Sequence, residues 1–353
     1  MDNPHERPRA VIEERRRRWP TVVAGMIALV LLTIAAGTAL FQLGLPNTSG
    51  DGDTTHVYHD ADGDWLPYQV HLPPQHDDST ALPVMLALHG CGMTGFGWNS
   101  MERTTQFDAL ADREGVIVVY PSQRPFANPL NCWNSADPRH QQRGSGEPAL
   151  LAGIAREVVE TYGADASRVH VSGASSGAGT AVILGVTYPD VFATVTSVAG
   201  GEYGLNRVDP DDPGATPAVE TARQAWAQMA DRQRTVPLLV IQGGNDEVVP
   251  EIVGDRLVEH WSAVYDLVDD GSLNDSFALT IETSATPAQD GRRAFELTRF
   301  TTADDRTLIE YYVVPTMDHA WPGPTGEGQY TDRAGPDASA LAWHLAAQHS
   351  LAD

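Results

Sequence analysis

The chain has 353 residues, and its 47 acidic and 23 basic side chains give it a formal net charge of -24. Every basic residue is an arginine, and a hydrophobic content of 42% is enough for a sizeable buried core. An acidic body of this kind repels nucleic acids and anionic membrane surfaces, so neither is expected as a partner of the globular part.

The N-terminal region predicts export. Residues 1–20 form a basic tail that ends in Arg15–Arg18, and the uncharged run Thr21–Phe41 is long enough to span a bilayer as a helix. Arginines before such a run place the tail in the cytoplasm and the rest of the chain outside. A cleaved signal peptide is the alternative, with the small residues Gly37–Ala39 as its cleavage site.

A flexible linker, residues 42–54, is predicted to join this segment to one globular domain, residues 55–353. Near the start of the domain, Asp60–Asp64 resembles the beginning of a calcium loop, but the glycine and glutamate that the loop needs at later positions are missing. We expect a turn between two strands there. The sequence has no CxxC motif and no Cys/His cluster, so we predict neither a metal nor another cofactor.

Short apolar runs alternate with helical stretches along the domain, which predicts a doubly wound, mostly parallel α/β sheet. The predicted strands are Trp65–Leu72, Leu82–Leu88, Val116–Tyr120, Arg168–Ser172, Val236–Gln242 and Leu308–Val314. The predicted helices are Glu102–Glu114, Glu147–Tyr162, Ser176–Tyr188, Glu251–Tyr265 and Pro336–Ala347.

The segment Gly173–Gly177 has the pattern Gly-x-Ser-x-Gly with Ser175 at its centre. The pattern alone is common, but here a predicted strand precedes it and a predicted helix follows it. A strand, a sharp turn and a helix in this order expose the serine and direct the free N–H groups of the helix start at the reacting atoms. Ser175 is therefore the predicted nucleophile.

A serine nucleophile needs a base, and the base needs a carboxylate that orients it. In α/β enzymes whose nucleophilic serine lies on such a strand-turn-helix elbow, the acid precedes the histidine along the chain. The loop after Val236–Gln242 contains Asp246, our predicted acid, with the neighbouring Glu247 as the competitor.

The predicted general base is His319, in the loop between the strand Leu308–Val314 and the final helix. Asp318 is adjacent, but neighbouring side chains usually diverge, which makes it a poor partner. The remaining histidines after residue 246 fall on predicted helical stretches: His260, His344 and His349.

An oxyanion hole is predicted from the His89-Gly90-Cys91 loop, which follows the strand Leu82–Leu88. We assign the backbone N–H groups of Cys91 and Ser176 to it, with Gly90 as the alternative to Cys91. For the side chain of His89 we expect a buried role that braces the loop.

Seven segments, in this order, resemble the esterase family of extracellular polyhydroxybutyrate (PHB) depolymerases, which also includes feruloyl and acetylxylan esterases. They are His89-Gly-Cys91, Tyr120–Gln123, Cys132-Trp-Asn134, Gly173–Gly177, Tyr188–Phe192, Asp246 with Val248-Val249, and His319–Gly323. The resemblance covers roughly residues 65–345. It implies the α/β-hydrolase fold and Ser175, Asp246 and His319 as the triad.

The resemblance also implies a disulfide between Cys91 and Cys132, with two free buried thiols as the alternative. It places Trp133 and Trp321 near the substrate, although packing in the core is an equally open role for Trp133. The elbow has Ala174 and Ser176 where the family often has Leu and Ala, a change that keeps residues small. No Thr-rich linker or polymer-binding module follows residue 350, so short or soluble esters are expected rather than crystalline polymer.

The sequence therefore predicts a monomeric, extracytoplasmic serine esterase that touches the membrane only through its N-terminal helix, if at all. Short hydroxyalkanoate, feruloyl or acetyl esters are its expected substrates. Two alternatives remain: a serine peptidase on the same fold, and a non-catalytic surface protein that binds polysaccharide or other envelope components.

Overall fold

The computed structural model describes residues 53–77, 79–209 and 212–352. The basic tail 1–20, the apolar segment 21–41 and the linker up to residue 52 lie outside these residues. Within the described part of the chain, no helix is long and apolar enough to cross a membrane.

Ten strands form one sheet in the order β1-β2-β4-β3-β5-β6-β7-β10-β9-β8. Their bounds are β1 Asp53–His59, β2 Trp65–His71, β3 Val84–Leu88, β4 Ile117–Pro121, β5 Val169–Ala174, β6 Val195–Val198, β7 Leu238–Gly243, β8 Thr280–Thr286, β9 Phe295–Thr301 and β10 Thr307–Val314. The central six, from β4 to β10, run parallel, and the outer strands are antiparallel. A separate parallel pair joins β11 Trp321–Pro322 and β12 Thr331–Asp332.

In the described ranges, seven α-helices accompany the sheet: α1 Met101–Thr105, α2 Phe107–Glu114, α3 Gly146–Tyr162, α4 Ser176–Thr187, α5 Ala218–Met229, α6 Glu251–Asp270 and α7 Ala338–Ala346. Buried apolar residues form two clusters, and neighbours along one strand, such as Leu86 and Ala87, fall into different ones. Successive side chains of a strand point to opposite faces, so both faces of the sheet are covered. This confirms the predicted mostly parallel α/β sheet with flanking helices.

The helix predicted over Glu102–Glu114 is instead two helices that meet at Gln106. This residue has φ 54°, a left-handed conformation that ends α1 and starts α2. The first strand begins at Asp53, two residues before the predicted start of the domain at residue 55, because Asp53 and Thr54 already pair with β2. The turn expected at Asp60–Asp64 is confirmed, since it joins β1 to β2 as a hairpin.

Candidate active site

Ser175 occupies a sharp elbow between the end of β5 and the start of α4. Its φ of 55° and ψ of -118° lie in a region that L-residues rarely adopt. Such a conformation costs roughly 1–3 kcal/mol and persists only where the surrounding structure enforces it. A hydrogen bond of 2.9 Å from the Ser175 N–H to the Val198 carbonyl helps to enforce it here.

Two glycines make the elbow possible. A Cβ atom at Gly173 would overlap the Gly177 carbonyl, and one at Gly177 would overlap the Leu88 carbonyl. The chain after β3 also passes close to the elbow, because a Cβ atom at Gly90 would lie 3.3 Å from that of Ser175. The glycines of the motif therefore permit backbone segments to approach without side chains.

Asp246 and His319 form a direct pair. His319 Nδ1 lies 2.7 Å from Asp246 Oδ2, and the Asp246 side chain is buried. The second carboxylate oxygen accepts backbone N–H groups from Val248 at 2.9 Å and Val249 at 2.8 Å. A carboxylate satisfied in this way accepts the Nδ1 proton and leaves Nε2 of the imidazole as the available base.

Of the three candidate acids, Asp246 is the one that contacts His319. Glu247 and Asp318 are both exposed, and neither forms an ion pair with His319 within the described ranges. Asp246 follows β7 and His319 follows β10, and these two strands are adjacent and parallel. Their loops therefore meet at the same edge of the sheet.

Ser175 and His319 line one cavity of about 280 Å³, together with Cys91 and Trp321. Ser175 also lines a second cavity of about 250 Å³, together with Ser176, Gln141 and Glu202. Two hollows that meet at one serine suit an ester, whose acyl and alcohol parts extend in different directions from the reacting carbon.

The predicted oxyanion donors are placed consistently with that role. Ser176 is the first residue of α4, so its N–H belongs to the free donors of a helix start. Cys91 lines the cavity beside Ser175, and none of the hydrogen bonds of the described residues uses either N–H. The Ser176 hydroxyl accepts a hydrogen bond of 3.3 Å from the backbone N–H of Trp133.

A disulfide joins Cys91 to Cys132. It ties the loop after β3 to the loop after β4, and a further bond of 2.7 Å runs from the Gly92 N–H to the Leu130 carbonyl. The pairing implied by the family resemblance is therefore present, and free thiols are not.

His89 connects the loop after β3 to the segment after β4. The ring is fully buried, its Nδ1 donates to the Gly90 carbonyl at 2.8 Å, and its Nε2 accepts the Gln123 N–H at 3.0 Å. Burial lowers the pKa of His89 to about 4, which keeps the ring neutral. This agrees with the structural role expected from the sequence.

The two candidate tryptophans differ in position. Trp321 forms part of the wall of the cavity, and its Nε1 donates to the Ser339 hydroxyl at 3.3 Å. Trp133 is 2% exposed and packs against His89 with ring centroids 5.1 Å apart. Trp321 therefore lines the cavity, whereas Trp133 is packed in the core.

Glu202 and Arg256 form a buried ion pair that no sequence motif predicted. Glu202 is buried beside the second cavity, 2.5 Å from the Arg256 guanidinium and 3.0 Å from the Thr221 hydroxyl. Burial raises the pKa of Glu202 in spite of its partner. No local pattern marks this pair, because the two residues are far apart in the chain and lie in segments without a motif.

One cluster could hold a metal ion among the described residues: Asp53, His71 and Asp108. It lies at the amino edge of the parallel strands, opposite Ser175, because His71 pairs with the start of β4. His71 Nδ1 already lies 2.7 Å from Asp53, and its Nε2 lies 3.0 Å from Asp112. The His71 imidazole can itself act as the cation between these carboxylates when it is protonated. That the protein uses no catalytic metal stays a prediction.

Known proteins resemble this chain along most of the domain. It is 26% identical over 253 residues to poly(3-hydroxyalkanoate) depolymerase C of Paucimonas lemoignei, covering 70% of this chain and 56% of the relative. It is 30% identical over 208 residues to feruloyl esterase B of Thermothelomyces thermophilus, covering 55% of this chain and 69% of the relative. This chain thus spans only about half the length of the depolymerase.

Among solved structures, acetyl xylan esterase from Aspergillus awamori matches with a TM-score of 0.58 at 20% identity, covering 75% of this chain and 94% of that one. This likeness supports the α/β-hydrolase fold. The family model described as esterase PHB depolymerase matches residues 66–271, more than half of the chain. The chain therefore belongs to the PHB depolymerase family of esterases.

Proposed function

We propose that this chain is a serine esterase that hydrolyses carboxylic esters through Ser175, His319 and Asp246. One observation supports the proposal: a strained, half-buried serine and a histidine line the same cavity, and a buried carboxylate contacts that histidine. The names of the similar proteins, a depolymerase, a feruloyl esterase and an acetyl xylan esterase, all denote ester hydrolysis.

The reaction would proceed in two acyl transfers. Ser175 Oγ attacks the ester carbonyl while His319 Nε2 takes the hydroxyl proton, and the N–H groups of Cys91 and Ser176 bind the oxyanion. His319 then returns the proton to the alcohol as the C–O bond breaks. Water repeats the sequence on the acyl-enzyme and releases the acid and Ser175.

The size of the two cavities favours short esters. Cavities of about 250 and 280 Å³, both lined by Ser175, would each hold one small group of the ester. Hydroxyalkanoate, feruloyl and acetyl esters all fit this description, with Trp321 as an apolar wall for one group. The Cys91–Cys132 disulfide supports an oxidising, extracytoplasmic location.

The test is hydrolysis of a short nitrophenyl ester by the wild type and by Ser175→Ala. The proposal expects turnover by the wild type and a loss of roughly 10⁴-fold or more in the variant. Ser176→Ala is the matched control, because its hydroxyl lies outside the proposed chemistry. Activity that survives Ser175→Ala would refute the assignment.

A further inference from the structure

Glu202 connects the wall of the second cavity to helix α6. Its side chain is fully buried, and Arg256 of α6 holds both carboxylate oxygens, with Nη2 2.5 Å from Oε1 and Nε 3.1 Å from Oε2. The Thr221 hydroxyl of α5 lies 3.0 Å from Oε1. A guanidinium that engages both oxygens fixes the direction of a carboxylate as well as its position.

Arg256 also holds the loop that precedes α5. Its Nη1 donates to the Pro213 carbonyl at 2.6 Å and to the Thr216 carbonyl at 2.7 Å. Each of the three guanidinium nitrogens therefore has a partner, and the side chain is only 6% exposed. One buried arginine thus joins the segment after β6, the loop before α5 and helix α6.

The segment after β6, residues 199–202, forms part of the wall of the second cavity. Ala199 has φ 53°, a left-handed conformation that residues with a side chain rarely adopt. A Cβ atom at Gly201 would lie 2.8 Å from the Val253 side chain, so this wall packs directly on the helix that carries Arg256. The position of the wall therefore depends on α6.

The two cavities at Ser175 differ in their relation to the base. His319 lines the first cavity, of about 280 Å³, whereas the segment 199–202 and side chains such as Gln141 and Asn206 line the second, of about 250 Å³. In the proposed mechanism His319 returns a proton to the leaving alcohol, so the alcohol part of the ester must lie within its reach. The first cavity then takes the alcohol, and the second cavity takes the acyl group.

We propose that Glu202 and Arg256 are positioning residues that fix the wall of the second cavity and so determine which acyl groups the enzyme accepts. This rests on the proposed ester hydrolysis. Both residues act through the segment 199–202. Removing the charge of Glu202 leaves a buried guanidinium without its counter-ion and releases the wall from α6. A released wall admits longer acyl groups and holds a short one less closely.

The full chain is compared as wild type, Glu202→Gln and Glu310→Gln. The Glu310 carboxylate is a matched control, because it is also buried and lies 2.8 Å from an arginine, Arg299, but lines neither cavity. The values of kcat and KM are measured for nitrophenyl acetate, nitrophenyl octanoate and naphthyl acetate. The first two esters share the alcohol, and the first and third share the acyl group.

In Glu202→Gln, the kcat/KM of the octanoate relative to the acetate should rise by about tenfold or more. The kcat for nitrophenyl acetate should stay within about threefold of the wild type while its KM rises, because the triad is untouched. The ratio between the two acetates should stay within about twofold. Glu310→Gln should lose stability in urea but keep both ratios.

Thr221→Val is a second variant that decides the question if Glu202→Gln does not fold. It removes one hydroxyl contact of Glu202 and keeps the ion pair. The octanoate preference should therefore rise by a smaller factor, about two- to threefold.

Unchanged acyl ratios in Glu202→Gln and Thr221→Val would overturn the proposal, and so would an equal change in Glu310→Gln. A change in the alcohol ratio instead of the acyl ratio would also overturn it, because the second cavity would then hold the alcohol. A wild type that hydrolyses none of the three esters, or a Ser175→Ala variant that hydrolyses them equally well, refutes the proposed function itself.

Discussion

His319 Nδ1 lies 2.7 Å from Asp246 Oδ2, although 73 residues separate the two in the chain. The contact exists because β7 and β10 are neighbours in the sheet and both residues follow the carboxyl end of their strand. Because the carboxylate engages Nδ1, Nε2 is the ring nitrogen that the proposed mechanism uses as the base for Ser175.

Asp246→Asn should lower kcat by about 10³- to 10⁴-fold, because an amide at this position favours the wrong tautomer of His319. Steady-state hydrolysis of a nitrophenyl ester measures the loss. Asp318→Asn is the matched control, since Asp318 is adjacent to His319 in sequence but exposed. Equal losses in the two variants would contradict the assignment of the acid.

Gly177→Ala should destabilise the fold by roughly 1–3 kcal/mol or more, because its Cβ would overlap the Leu88 carbonyl, which belongs to rigid backbone. Urea unfolding measures the change. Gly179→Ala, in the same helix, should be nearly neutral, since its Cβ would only contact the Ser135 side chain at 3.3 Å. A stable Gly177→Ala protein would show that the elbow is looser than the structure indicates.

The disulfide closes a loop with a sequence separation of 41, which the chain-entropy model values at about 4 kcal/mol. Replacing both Cys91 and Cys132 with Ala should therefore lower the free energy of unfolding by roughly 2–4 kcal/mol. Adding a reductant should destabilise the wild type and leave the double variant unchanged. If the disulfide of the wild type were reduced and the free energy of unfolding did not fall, this contribution would be contradicted.

His71 gives part of the stability a pH dependence. Burial would lower its pKa, but the contacts with Asp53, Asp108 and Asp112 raise it from 6.5 to about 9. A raised histidine pKa stabilises the fold fully below pH 6.5, and this stabilisation is lost as the pH rises through 9. The urea midpoint of the wild type should therefore fall across this window.

His71→Gln should be less stable than the wild type near pH 6 and should converge with it near pH 9.5. His344→Gln is a suitable control, because His344 is exposed on α7. If the stability difference between wild type and His71→Gln stayed constant from pH 6 to 9.5, the ring would not carry the charge assigned to it.

The central strands and the elbow could be predicted from sequence because their signals are local. Apolar runs such as Val84–Leu88 mark buried parallel strands, and the glycines around Ser175 mark the turn. The strand β8 could not be found in this way, since all of Thr280–Thr286 is exposed and no apolar alternation marks it.

The pair of Glu202 and Arg256 was not predicted either. The contact depends on which segments the sheet order brings together, and no short segment of the chain encodes that order. Asp246 and His319 could be chosen because their fold fixes the chain order of acid and base.

The central claim is that Ser175 is the nucleophile, and covalent labelling with a fluorophosphonate probe tests it most directly. Peptide mass spectrometry of the labelled wild type should find one modified residue, Ser175. The label should disappear in Ser175→Ala and slow strongly in Asp246→Asn. A wild type that hydrolyses esters but carries the label on another residue, or carries none, would contradict the account.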